Sequence, residues 1–261
     1  MAANLALKAA GGMLHPLPER GWRNGLANLV RNELRAWWGT RTWLVQALIW
    51  TIVLNGFTAL VLWTGPRAAS ADAARTVFSL FTGIFGALGV IVATQGAIVG
   101  EKRQGTAAWV LSKPASRVAF LAAKWVAHSL GFFVTIILLQ GTLAYAQFAA
   151  AGVAPPALAF ATGMGLLSLQ LLAYLTLTLM LGTFFGAQAV VAGIAMVLLF
   201  VQPIVAEATG FGDWLPGALP RQVAPLLAGA GLPTLIPLIG TVLVIVVSVL
   251  LAVWRFEREE F

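Results

Sequence analysis

Apolar residues in this chain come in long unbroken runs, not in the alternation of half-buried strands. The first is "WLVQALIWTIVLNGFTALVLW", residues 43–63. Others cover about 76–99, 118–148, 157–183, 186–206 and 232–254, the fourth and fifth being parted only by "GTFFGAQ". Each is long enough for the roughly 20 residues that carry a helix across a hydrocarbon core. The pattern predicts an all-α polytopic membrane protein with six transmembrane helices filling residues 43–254. Before the first run the period changes. Trp22, Leu26, Leu29, Val30, Leu34, Trp37 and Trp38 share one broad face at 100° per residue, and Asn24, Asn28, Arg31, Asn32 and Arg35 share the other. Residues 22–42 therefore read as an amphipathic helix along a membrane interface, after a tail over 1–21. Glu33 projects from its apolar side, where a carboxylate needs a partner: a charge on the 100–117 loop or on a bound protein, unless it bends out to water.

Composition agrees. Of 261 residues 60% are hydrophobic and 10% charged, too few charges to cover a soluble surface. The stretch "AASA" at 68–71 would offer a small-residue cleavage site. The apolar run before it is too long for a signal peptide, so the first run is expected to remain as a span. Of the 16 basic residues, thirteen fall before the first span, around the loop between spans two and three, or after the sixth span. Only Arg67, Arg75 and Arg221 fall on the other side. The positive-inside rule then makes both termini, including the tail 255–261, and the 100–117 loop cytoplasmic. The net charge of +7 is explained by that placement and does not call for nucleic acid. A composition rich in Ala, Gly, Trp and Arg fits a GC-rich prokaryote, hence a cytoplasmic (inner) membrane. On the outer side, 207–231 carries Pro216, Pro220 and Pro225, which rule out one long helix and suggest re-entrant or interfacial segments.

From Trp125 to Ala206 there is no Asp, Glu, Lys or Arg. An ion-coupled carrier would need ionisable groups there. His128 is the one titratable imidazole in the spans and reads as an interfacial or packing residue. An intramembrane hydrolase would need a nucleophile with a base, and His128 and Ser129 point about 100° apart on a helix. No cysteine is present and no metal-ligand cluster is evident. Neither an energy source nor a catalytic site is expected within the spans, so any transport must be driven by a partner.

The densest charge between two spans lies in "GEKRQGTAAWVLSKPASR", 100–117. Its two glycines have the spacing of a phosphate-binding loop, but Thr106 stands where that loop needs lysine, and a span precedes it instead of a strand. Thr106 can instead cap a short helix over 107–112, Pro114 can end it, and Ser116 can cap the next helix. Such a helix would present Trp109, Val110 and Leu111 within a ring of charge, either to a protein or to lipid headgroups.

The pattern Glu101, Gly105, Thr106, Ser112, Pro114, Ser116, Arg117 and later Lys124 resembles the first cytoplasmic loop of ABC-2 type transporter permeases. The stretch 29–43 resembles that family's cytoplasmic entry helix. The resemblance implies a coupling helix that docks on a separate ABC ATPase, with Glu101, Arg103, Gly105, Thr106, Trp109, Val110, Leu111, Ser112, Pro114 and Arg117 as docking residues. It implies transmission through Glu33, Arg35, Trp37 and Trp38 of the entry helix. It also implies two ATPase copies, a second permease that is identical or paralogous, and ATP and Mg bound by the ATPase, with no cofactor on this chain. Family members commonly place spans two and five on the pathway, which nominates Thr94, Gln95, Gln188 and Gln202. The small-residue stripe Gly89, Ala93, Gly96 and Gly100 supports close helix packing, within one subunit or at a dimer seam. The expected function is the permease subunit of an exporter. The alternative is a membrane anchor or assembly factor that recruits a cytoplasmic partner without transport.

Overall fold

The computed structural model describes residues 21–23, 25–106, 115–209 and 211–259. The expected helix over 107–112, with Trp109, Val110, Leu111, Ser112 and Pro114, lies outside them. The described residues are mostly helical, with short turns and loops between the helices and no strand. Helix α1 covers Leu26–Trp38. Among the described residues six helical stretches are long and apolar enough to cross a membrane: Thr42–Thr64, Ala69–Arg103, Arg117–Ala150, Ala157–Phe184, Gln188–Ala206 and Leu235–Glu257. Here they are spans one to six.

Span two differs most from its hydropathic run. Its helix starts at Arg67, well before residue 76, because "RAASADAA" is rich in alanine, the strongest helix former, though poor in bulky apolar groups. Spans two and three hold 35 and 34 residues. An unbroken helix of that length would reach about 50 Å, well beyond a hydrocarbon core of about 30 Å. Span two is interrupted at 95–98, before the short helix Val99–Arg103. The end of the bundle that carries the 100–117 loop, the start of the described chain and the tail of span six is the loop end.

Span four is the core of the bundle. Of its apolar window 67% is buried, against 28% for spans one, five and six, whose outer faces are left for lipid or another subunit. Phe160, Leu167, Leu171, Tyr174 and Leu175 fill its inner surface. Spans two and six pack directly on it.

At the opposite end, 211–227 folds back onto the bundle. Two short 3-10 turns, Phe211–Trp214 and Pro216–Ala218, lead into α2, Leu219–Leu227. Pro220 sits in its first turn, where no amide donor is missed. The helix buries Leu219, Val223, Leu226 and Leu227 against spans two and four. Glycines make room for it: Gly83 of span two faces Pro220, and Gly163 of span four faces Val223 and Leu227. Polar ties complete the cap. Gly217 N donates to Gln202 Oε1 at 2.7 Å and Thr234 N to Gln222 Oε1 at 2.8 Å.

The cap predicts a sharp contrast between two glycines. A Cβ on Gly83 would run into Pro220 and sit 3.1 Å from Gln170 Oε1, whereas one on Gly165 meets nothing within 4 Å. Gly83→Val is expected to destabilise the detergent-solubilised chain by about 1–3 kcal/mol, as overpacking does. Gly165→Ala is expected to leave the unfolding midpoint in place or raise it.

Candidate functional site

The site forms where span two ends. Its helix stops at Thr94, turns through Gln95–Ile98, and resumes as a short helix Val99–Arg103. Gly105 then takes φ 70°, a left-handed conformation that suits glycine and ends the helix. The turn and short helix aim three consecutive charged side chains in different directions.

Glu101 meets Lys124 of span three, whose Nζ also donates to Glu33 Oε1 of α1 at 2.8 Å. Lys124 is 3% exposed, so its ammonium has little water to replace a lost acceptor. The Phe120 ring lies 5.1 Å below it and adds a cation–π contact. The triad fastens α1 along the first turns of span three. One turn further along α1, Trp37 lies against Gly131 and sits edge-on to His128 at 5.3 Å and Phe132 at 4.9 Å. His128 Nδ1 lies 2.8 Å from Lys124 O, so the imidazole takes a packing position.

Lys102 points the other way. Its Nζ donates to Thr183 O at the end of span four at 2.9 Å and pairs with Glu259 at 2.7 Å. Arg103 Nε donates to Gly186 O, between spans four and five, at 2.9 Å. Thr106 Oγ1 donates back to Glu101 O at 3.2 Å. Beyond the loop, Ser116 caps span three by accepting from Ala119 N at 2.9 Å. Arg117 closes the circle. Its guanidinium donates to Phe256 O, Glu257 O and Glu259 O at 3.2, 2.6 and 2.7 Å. A cation there satisfies the orphan carbonyls of span six and opposes its dipole. The rings of Phe120 and Phe256 stack beside it at 5.5 Å.

Residues on both flanks of the 100–117 loop thus hold α1, the join of spans four and five, and the end of span six. Of the expected residues, Glu101, Arg103, Arg117, Glu33 and Trp37 come together here. Glu33 is paired with Lys124 of span three, and not with a charge on the 100–117 loop as expected. Arg35 is exposed, and Trp38 sits edge-on to Trp43 at 5.5 Å. Sequence reasoning missed Lys102 and Glu259 as a pair and the carbonyl targets of Lys102, Arg103 and Arg117.

Thr94, Gln95, Gln188 and Gln202 do not gather on one surface. Thr94 is buried and donates to Val90 O at 2.7 Å, and Gln95 donates to Val92 O at 3.1 Å. Gln188 lies against Gly96 and Gly100 at the loop end, and Gln202 is held in the opposite cap. The small-residue stripe packs within the chain at three of its four positions: Gly89 receives the ring of Trp50, Gly96 and Gly100 receive Gln188, and Ala93 is exposed.

Six apolar spans joined at one end by a charged junction, and capped at the other by a folded-back helix, define a multi-pass membrane domain. The chain belongs to a family described as ABC-2 family transporter protein, whose sequence model matches residues 41–261. It is therefore a membrane component of a transport system, associated with an ABC ATPase, and not itself an enzyme. No individual curated protein matches it significantly.

The triad predicts an order of stabilities. Lys124→Met leaves two carboxylates facing each other without their cation and is expected to cost about 3 kcal/mol. That is the low end for a broken buried pair, because the carboxylates remain 24% and 27% exposed. The triple variant Lys124→Met/Glu33→Gln/Glu101→Gln removes all charge and is expected to recover most of the loss. Melting of the solubilised chain, with proteolysis in 26–38 as a local readout, checks the order.

Proposed function

We propose that this chain forms the translocation path of an ABC exporter in a prokaryotic cytoplasmic membrane, driven by two ATPase subunits that dock on its 100–117 loop. In this reading the loop end faces the cytoplasm, with both termini. ATP and Mg bind the ATPases. A second permease, identical or paralogous, completes the path against the outward faces of spans one, five and six. Trp109, Val110 and Leu111, with Ser112 and Pro114, form the docking knob. Gly105 and Thr106 lead into it.

The observation that carries the reading is the wiring around the loop. A docking segment can move the membrane domain only if its flanks are tied to the spans. Glu101 reaches α1 through Lys124, Lys102 and Arg103 reach spans four and five, and Lys102 and Arg117 reach span six. Displacing the loop would therefore shift several helices at once. The uncharged stretch Trp125–Ala206 suits apolar or amphipathic cargo, and export suits cargo of that kind made in the cell.

The test is retention of the ATPase encoded beside this chain on the purified permease. Wild type is expected to retain it. Trp109→Ala/Gly105→Pro is expected to weaken retention by about tenfold or more, roughly 1.4 kcal/mol, while inserting normally. Equal retention would remove the docking role from the loop. Retention without cargo-stimulated ATP hydrolysis by the reconstituted complex would favour the anchor.

A further inference from the structure

Spans one and three share an irregularity at the same level. Each interrupts its α-helix with a π-helical segment: Thr51–Gly56 in span one and Phe133–Leu138 in span three. A π-turn widens the helix by one residue and leaves carbonyls without their usual i+4 amides. Within a membrane those carbonyls must find other donors.

Polar side chains bridge the two spans at this level and add donors to their carbonyls. Gln140, fully buried, donates through Nε2 to Ala47 O of span one at 3.2 Å and to Thr135 O of its own span at 3.1 Å. Its Oε1 accepts from Asn55 Nδ2 at 2.8 Å and Thr51 Oγ1 at 3.2 Å. Asn55 is 2% exposed and returns the favour, with Nδ2 also 3.3 Å from Gln140 O. Gln147 Nε2 donates to Asn55 O at 3.3 Å. Within the π-segments Thr135 O thus gains Gln140 Nε2 and Asn55 O gains Gln147 Nε2, both donors lying just beyond the π-turn of span three. Neither π-segment can reset its register without disturbing bonds that both share.

This level divides two differently anchored halves. Toward the loop end, span three carries Lys124 and Gly131, which hold α1 through Glu33 and Trp37. Toward the opposite end, Arg75 Nη2 donates to Val153 O at 3.0 Å just after span three, and Phe57 of span one packs on Phe81 of span two at 5.2 Å. A displacement arriving at the loop end has to be taken up between these anchors. The π-segments lie between these anchors, and Gln140 and Asn55 join the two spans there.

We infer that the paired π-segments of spans one and three form a shared hinge, with Gln140 as its positioning residue. The loop-end halves of both spans turn together about it, and Gln140 keeps the two register changes in step. Only the force that drives the turn rests on the proposed ATPase coupling. The hinge itself is a property of this chain.

The experiment is hydrogen exchange on the full chain in lipid nanodiscs. In wild type, amides of 51–56 and 133–138 are expected to exchange faster than the regular turns at 43–49 and 143–148. Equal protection would overturn the hinge. Gln140→Leu is expected to raise exchange roughly tenfold in both segments, although the substitution lies in span three. A change confined to span three would overturn the shared role. Thr142→Leu, on the exposed side of the same span, is expected to alter neither segment. If Gln140→Leu does not insert, Asn55→Leu puts the same question from span one, and its expected effect is faster exchange at 133–138. Adding the ATPase with a non-hydrolysable ATP analogue separates the two proposals. The wild-type chain pattern together with no response to the nucleotide would uphold the hinge and count against the coupling.

Discussion

One ammonium group sets the terms for the loop end of this protein. Lys124 lies among helices where water is scarce, and a cation in such a place must be surrounded by acceptors or be lost as a stabilising residue. Its acceptors come from two directions in the chain: Glu33 from α1 and Glu101 from the short helix Val99–Arg103. Bringing them together places α1 along span three and fixes where the short helix Val99–Arg103 can lie. Once that helix is fixed, Lys102 and Arg103 fall within reach of the ends of spans four and five. The arrangement of the junction is thus a consequence of satisfying one buried charge.

The remainder of the bundle follows a different economy. Between the junction and the opposite cap the spans carry no charge on either side of the core, and packing rests on apolar surface, glycine clearances and amide or hydroxyl hydrogen bonds. Threonines along the spans return their hydroxyls to carbonyls of their own helices, as Thr178 does to Tyr174 O at 2.7 Å. Some amides also reach between helices, as Gln140 does to span one. Charge organises the end that a soluble partner would touch, and neutral polar groups organise the part that lipid surrounds.

Much of this was legible in the sequence, and what was not has identifiable causes. Spans announce themselves because the bilayer demands about 20 apolar residues in a row. The helix over 26–38 was readable from its 3.6-residue period, which also marks Glu33 as a carboxylate on the apolar side. Its partner was not readable, because Lys124 is 91 positions away and any of several cations could have served. The extension of span two over 67–75 was hidden because alanine favours helix without contributing much hydropathy. The π-segments were hidden because "TIVLNG" and "FVTIIL" carry no local mark of register. The register there is tied to glutamine and asparagine side chains from a partner helix. The pathway residues rest on the family's placement of spans two and five and on polarity, and polarity does not tell a lining side chain from one that closes a backbone bond.

The contacts of Lys102, Arg103 and Arg117 are aimed largely at main-chain oxygens, those of Thr183, Gly186, Phe256, Glu257 and Glu259. Every amino acid supplies such an oxygen. The receiving positions are therefore free to drift in side-chain identity while the connection persists, so long as the helix ends stay in place. The wiring is written in three cations and the geometry of helix termini. Relatives could share it while looking unrelated at the places where it lands.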